Sequence, residues 1–250
     1  MLVAERRDLV IARLHDEGKV VARQLAHELG ISEDSIRRDL RELAAAGQCQ
    51  RVYGGAVPAS RALVDYRSRA SVEPQGKRRI AARAAQLIKP GDRVILDGGT
   101  TTLAVARALP PELHATVITH SPTIAAALID HPTVEILLLG GRIYKHSAVA
   151  CGAATAEAAR AVTADLFLLG VTGVHAEHGL TTGDPEEAAM KRTLAAQAAD
   201  TYVLASAEKI GAVSAYKVLD LSATTAILTD AQHDDALEPL RGAAAVIDCK

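Results

Sequence analysis

Three observations predict an α/β chain in two parts, a small helical N-terminal domain and a larger domain built on a mostly parallel sheet. Residues 4–46 carry aliphatic side chains at helical spacing, interrupted at Gly18 and Gly30. Residues 58–72 show no period and collect Pro58, serines and the arginines Arg61, Arg67 and Arg69. From residue 73 onward, short aliphatic runs alternate with helical stretches, as in strands buried on both faces of a parallel sheet. The expected divisions are 1–57, a solvated basic linker at 58–72, and 73–250.

A chain of 250 residues can bury a proper core. A net charge of −2 excludes a uniformly basic surface, so any contact with nucleic acid must be a local patch. Cys49, Cys151 and Cys249 have neither disulfide-framework nor zinc-ligand spacing, which suits reduced thiols in a cytosol. Charges run through residues 1–30, leaving no secretory apolar segment, and no run approaches the roughly 20 residues that span a bilayer. The expectation is a soluble cytoplasmic protein.

In the first helix Val10, Ile11 and Leu14 share a face, and Gly18 ends it. "VARQLAHELG" sets Leu25, Ala26 and Leu29 at helical spacing and stops at Gly30. Ser32 is a natural N-cap for a third helix, and two short helices joined by Gly-Ile-Ser describe a helix-turn-helix. At 100° per residue Ile36, Leu40 and Leu43 fall within about 60° of one another. Arg38 and Arg41 then lie nearly opposite, with Arg37 on the flank. "QCQRVYGGAV" follows as a hairpin or wing, with Arg51 and Tyr53 available to a groove edge. Turn, cap, outward arginines and wing together predict a recognition helix, with Ser35, Arg37, Arg38 and Arg41 on the DNA.

"ISEDSIRRDLRELAAAGQCQRVYGGAV" resembles the N-terminal winged helix-turn-helix of the DeoR family of bacterial transcriptional regulators. Ser-Ile-Arg-Arg-Asp-Leu at 35–40 and Gly-Gly-Ala at 54–56 carry the likeness. The resemblance implies double-stranded operator DNA as a partner, read by a homo-oligomer, dimer or tetramer.

In the second part the ends of the aliphatic strands are the places to look for a ligand. "RVILD" runs into Asp97-Gly98-Gly99-Thr100-Thr101-Thr102, where glycines, a helix N-terminus and hydroxyls form a reasonable phosphate cradle. The turn has neither the Walker lysine nor GxGxxG, so no nucleotide cofactor is indicated. Gly140-Gly141-Arg142 with Lys145, and Lys209 in "ASAEKIG", are candidate cations. Glu187 and Lys191 read as a simple i,i+4 pair. His175 and His178 in "HAEHGL" read as a loop with no third ligand in view, so no metal site is expected.

"DGGTTT", "VITHS", "LLLGG", "ADLFLLGVTGV" and "EKIG" resemble, in order and spacing, the sensor domain of the same family. The likeness implies a fold related to ribose-5-phosphate isomerase and a sugar-phosphate effector held by Asp97, Gly99, Thr100 and Thr101, with Lys209 nearby. Two positions depart from the pattern: His120 stands where Asn is common, and Ser206 where an Asp commonly precedes the Lys. The function implied is a repressor of carbohydrate genes released from DNA by a sugar phosphate. The alternative is a sugar-phosphate isomerase with a fused DNA-binding module. Against it, Gly170-Val171-Thr172-Gly173 offers no base where those isomerases carry acids.

Overall fold

The computed structural model describes residues 1–60, 66–232 and 234–249. Helix α1 (Val3–Glu17) ends at Gly18, strand β1 (Val20–Val21) leads into α2 (Ala22–Leu29), and α3 (Glu33–Ala45) begins after Ser32. The Ser32 hydroxyl accepts from the Ser35 N–H and so caps α3. Strands β2 (Cys49–Val52) and β3 (Gly55–Pro58) pair around Tyr53-Gly54. The wing has a third strand beyond the two expected, because β1 pairs with the free edge of β3. Gly55 permits that approach: a Cβ there would sit 1.9 Å from the Val20 carbonyl oxygen. Val10, Leu25, Ile36, Leu40, Leu43 and Ala56 form a core separate from those of the larger domain.

The stretch expected to be a solvated linker packs instead. The Pro58 carbonyl accepts from Val213 N–H at 3.3 Å, and the buried Ser60 hydroxyl donates to the Thr172 carbonyl. A one-turn helix α4 (Tyr66–Arg69) then lies on the larger domain, where the Tyr66 hydroxyl meets Thr123 Oγ1 at 3.0 Å. Arg67 remains exposed, Arg69 is half-buried, and Arg61 lies outside the described residues. The backbone of this segment needs partners once it touches a surface, and the larger domain supplies them.

Helix α5 (Pro74–Ala85) opens the larger domain. The chain then runs β4 (Arg93–Leu96), α6 (Thr100–Arg107), β5 (Thr116–Thr119), α7 (Pro122–Leu128) and β6 (Glu135–Leu138). A hairpin, β7 (Arg142–Tyr144) and β8 (Val149–Cys151), precedes α8 (Ala153–Arg160) and β9 (Ala164–Gly170). Next come β10 (Gly173–His175), β11 (Gly179–Thr182), α9 (Pro185–Ala195) and β12 (Ala198–Leu204), then β13 (Tyr216–Leu219), β14 (Ala226–Thr229), α10 (Asp234–Arg241) and β15 (Ala245–Asp248). Seven strands form one parallel sheet in the order β15-β14-β12-β9-β4-β5-β6. Strands β10, β11 and β13 make a small antiparallel sheet, and the "HAEHGL" loop is the turn of its first hairpin.

Both faces of the large sheet are buried, and alternation sorts the side chains. Ile95, Phe167, Leu169, Val203 and Ile227 face one core, closed by Met190 and Leu194 of α9 and Leu237 and Leu240 of α10. Val94, Leu96, Val117, Leu168 and Leu204 face the other, under α5, α6 and α7. The chain enters at β4, winds out to β6, then returns to β9 and winds the other way. The order therefore reverses between β4 and β9, and the crevice at their carboxyl ends is where such sheets take ligands. No helix among the described residues is long and apolar enough to cross a membrane.

Candidate DNA-reading helix and ligand cleft

Helix α3 turns Ile36, Leu40 and Leu43 inward and leaves Arg37, Arg38 and Arg41 exposed. Arg37 is engaged with Glu33 one turn earlier at 2.7 Å, whereas Arg38 and Arg41 have no ion pair among the described residues. Ser35 is half-buried in the capping turn, its hydroxyl 2.9 Å from that of Ser32. Arg51 is exposed on β2, and Tyr53 stands fully in solvent at the wing tip. Sequence reading missed what anchors the helix. Asp39 is 1% exposed and takes Arg6 Nε at 2.5 Å and Arg7 Nε at 3.2 Å, both from α1. Its signal was present: on the helical wheel Asp39 lies on the apolar side with Ile36 and Leu43, where an acid demands a partner.

At the switch point a half-open cleft lies over the Gly98–Thr102 turn. Gly99 adopts φ 130°, a conformation for glycine, and a Cβ on Gly98 would stand 1.9 Å from Val149 Cγ1. Helix α6 starts there with no side-chain cap, so its first N–H groups stay available to an anion. Four cations, Arg69, Lys77, Lys191 and Lys209, line the cleft with two carboxylates, Glu187 and Glu208. Burial pushes the Lys209 ammonium down to about 8; Glu208 opposes this, and Lys77, Arg69 and Lys191 add to it.

Three buried side-chain atoms among the described residues lack a hydrogen-bond partner: Arg69 Nε, Thr101 Oγ1 and Glu208 Oε2. All three residues line this cleft. Buried polar groups are ordinarily satisfied, so a donor, a hydroxyl and an acceptor left unpaired on residues of one cleft call for an explanation.

Two expected ligand residues are placed otherwise. Asp97 is fully buried beneath the cleft, and both its oxygens are taken: Oδ1 by His120 Nε2 at 2.9 Å, Oδ2 by Lys191 Nζ at 2.5 Å and Gly170 N–H at 2.9 Å. Burial pushes its carboxyl up, but the Lys191 ammonium and the His120 hydrogen bond outweigh that and hold it at about 2. Fully buried and absent from the cleft lining, it is placed as a structural hub and not within reach of a sugar hydroxyl there. Lys145 is exposed in the β7–β8 turn and does not line the cleft, because the hairpin turns it outward. Gly99, Thr100, Thr101 and Lys209 do line it.

The two departures from the family pattern have physical counterparts. His120 Nδ1 lies 2.8 Å from the Ala150 carbonyl oxygen and Nε2 lies 2.9 Å from Asp97 Oδ1, so the ring bridges the two. Ser206 leaves the region with a carboxylate nonetheless, since its hydroxyl donates to Glu208 Oε1 at 2.7 Å and leaves Oε2 open. The supposed surface pair Glu187–Lys191 is buried; Glu187 accepts from Thr182 at 3.3 Å, and Lys191 reaches Asp97. His175 Nδ1 is spent accepting from the Glu177 and His178 N–H groups of its own turn.

A helix-turn-helix of the DNA-binding kind joined to a sensor domain is the build of a transcriptional regulator. The chain belongs to the DeoR family, matching the DeoR C terminal sensor domain over residues 72–231 and the DeoR-like helix-turn-helix domain over residues 6–62. It is 35% identical over 235 residues to the HTH-type transcriptional regulator FruR of Bacillus subtilis, covering 93% of each chain. It is 33% identical to the HTH-type transcriptional repressor GlcR of the same organism, over 92% of this chain and 89% of that one. The glycerol-3-phosphate regulon repressor of Escherichia coli is 28% identical, over 92% of this chain and 91% of its own. Among solved structures, ribose 5-phosphate isomerase A from Methanocaldococcus jannaschii overlaps 53% of this chain and 52% of its own, with 18% identity and a TM-score of 0.40.

Proposed function

We propose that the protein is a cytoplasmic repressor of carbohydrate genes, released from operator DNA when a sugar phosphate enters the cleft over Gly98–Thr102. The observation that carries the ligand's chemistry is that Arg69, Thr101 and Glu208, each with a buried side-chain atom left unpaired, all line one cation-rich cleft. A phosphate takes the α6 N-terminal N–H groups, Thr101 and the cations. Glu208, rather than Asp97, accepts from a sugar hydroxyl. In a homo-oligomer, dimer or tetramer, two winged helices meet successive major grooves about 34–36 Å apart. Ligand-driven movement against that spacing couples the sites by about 1–3 kcal/mol.

The test starts with DNA selected from a random pool by the full chain. Release is then followed with glycerol 3-phosphate, hexose phosphates and their unphosphorylated forms. Release by phosphorylated compounds alone is expected, and release by the free sugars at equal concentration would refute the anion reading. On the same DNA, Arg38→Ala should weaken binding by about 1–3 kcal/mol if Arg38 reads a base, and Arg41→Ala should reduce the salt slope by about one if it holds phosphate. Unchanged affinity in both, with folding intact, removes α3 from the groove.

A pH dependence follows from Lys209. A phosphate ester is already dianionic above about pH 7, since its second pKa is about 6. Protonated Lys209 attracts it and neutral Lys209 does not, so affinity should fall as pH rises through about 8. Calorimetry in buffers of differing ionisation enthalpy should show proton uptake on binding near that pH. Lys209→Met should abolish the uptake, and uptake that persists in the variant would assign it to another group.

A further inference from the structure

We propose that Arg69, a residue of the segment joining the two domains, contacts the bound anion, so that the linker itself reads whether the cleft is occupied. This rests on the anion reading above but adds a residue and a route to it. The cations Lys77, Lys191 and Lys209 belong to α5, to α9 and to the turn after β12, all parts of the sensor body. Arg69 alone among the four comes from the chain between wing and sensor. Among the described residues its hydrogen bonds fall on Nη2, which donates to the His146 carbonyl at 3.0 Å and to Ser147 Oγ at 3.2 Å; Cζ lies 5.9 Å from the Tyr66 ring centroid, and Nε is buried and open. A guanidinium presents its N–H groups as a planar fork, so an acceptor at Nε completes a half-used donor set.

The backbone around Arg69 is tied to the same cleft. Lys77 Nζ donates to the Arg69 carbonyl at 2.6 Å and to the Val72 carbonyl at 2.5 Å, and both Lys77 and Val72 line the cleft. At the linker's other end, Ser60 donates to the carbonyl of Thr172, which also lines it. Ser60 lies two residues after the wing strand β3. An anion that accepts from Arg69 and draws on Lys77 therefore acts on the sensor end of the segment, and Thr172, which holds Ser60 at the wing end, borders the same cleft. By reciprocity, any linker position imposed by DNA changes anion affinity by the same factor.

The experiment uses the full chain and inorganic phosphate as the probe. Phosphate affinity is measured by calorimetry for wild type, Arg69→Met, Arg69→Lys, Thr101→Val and Lys209→Met. Backbone amide exchange of residues 66–72 is followed with and without saturating phosphate. Arg69→Met should weaken phosphate about tenfold or more, as loss of a charge-assisted hydrogen bond does. Arg69→Lys, which keeps the charge but not the fork, should weaken it less. Phosphate should slow linker exchange several-fold in wild type and leave it unchanged in Arg69→Met. Wild-type affinity and wild-type slowing in Arg69→Met, with Thr101→Val and Lys209→Met impaired, would overturn the role of Arg69 and leave the cleft standing. Wild-type affinity in Thr101→Val and Lys209→Met, or no phosphate binding to wild type, would overturn the cleft reading and this proposal with it. Should Arg69→Met fail to fold by circular dichroism, Arg69→Lys carries the comparison, and wild-type affinity and slowing in it would count against the proposal.

Discussion

Asp97→Asn is expected to lower the melting temperature of the sensor domain by roughly 6–20 °C. Removing one partner of a buried ion pair costs about 3–5 kcal/mol, and a domain of this size shifts by about 2–4 °C per kcal/mol. The physical cause is that Asn cannot replace the carboxylate. Lys191 Nζ and Gly170 N–H both donate to Oδ2 while His120 Nε2 meets Oδ1, and an amide turned to keep these contacts still leaves the buried Lys191 ammonium without its counter-charge. Lys191, 4% exposed at its side chain, would retain, among the described residues, Glu187 at 4.0 Å as its one ion-pair partner. The acid limb should show the same group. Its folded pKa of about 2 lies below the ordinary 3.8, so its stabilisation is fully present above 3.8 and is lost as pH falls through about 2. Asp97→Asn should flatten stability against pH in that window. Calorimetric melting of both proteins from pH 2 to 7 measures both effects. A variant that melts with wild type but no longer binds ligand would return Asp97 to the sugar.

Asp97 also shows where the sequence was legible. The strand–glycine–helix junction could be read because its signals are local: a run of aliphatic residues, two glycines, then hydroxyls at a helix start. What the carboxylate does could not, because its partners arrive from β5's end, from β9 and from α9, up to 94 residues away. A helical wheel held part of the answer. Glu187 and Lys191 share the face of Met190 and Leu194, so their i,i+4 spacing described a buried pair rather than a solvated one. Arg69 carried no such signal, since a four-residue helix has no period and the linker's packing depends on the surface it meets. Strands β14 and β15 were passed over for a different reason: Pro239 inside α10 breaks the helical pattern between them.

Replacing both Arg6 and Arg7 with Met should loosen α3 far more than removing any groove-facing arginine. The exposed side chains Arg38 and Arg41 leave nothing behind when truncated, whereas Asp39 is 1% exposed and would remain buried without a counter-charge. An uncompensated buried charge destabilises strongly, and because Arg6 and Arg7 are themselves partly exposed the effect falls below the fully buried limit. Amide exchange in α3 should accelerate by about 100-fold. The sensor domain, with its own two cores, should exchange as before. Methionine keeps much of the apolar stem, so lost packing contributes little. Adding Asp39→Leu to the pair removes the stranded charge and should recover most of the protection. DNA affinity should fall in the double variant, recover in the triple, and fall in Arg38→Ala without any change in exchange. Protection unchanged in the double variant would mean that α3 is held by Ile36, Leu40 and Leu43 alone and that the Asp39 cluster anchors nothing.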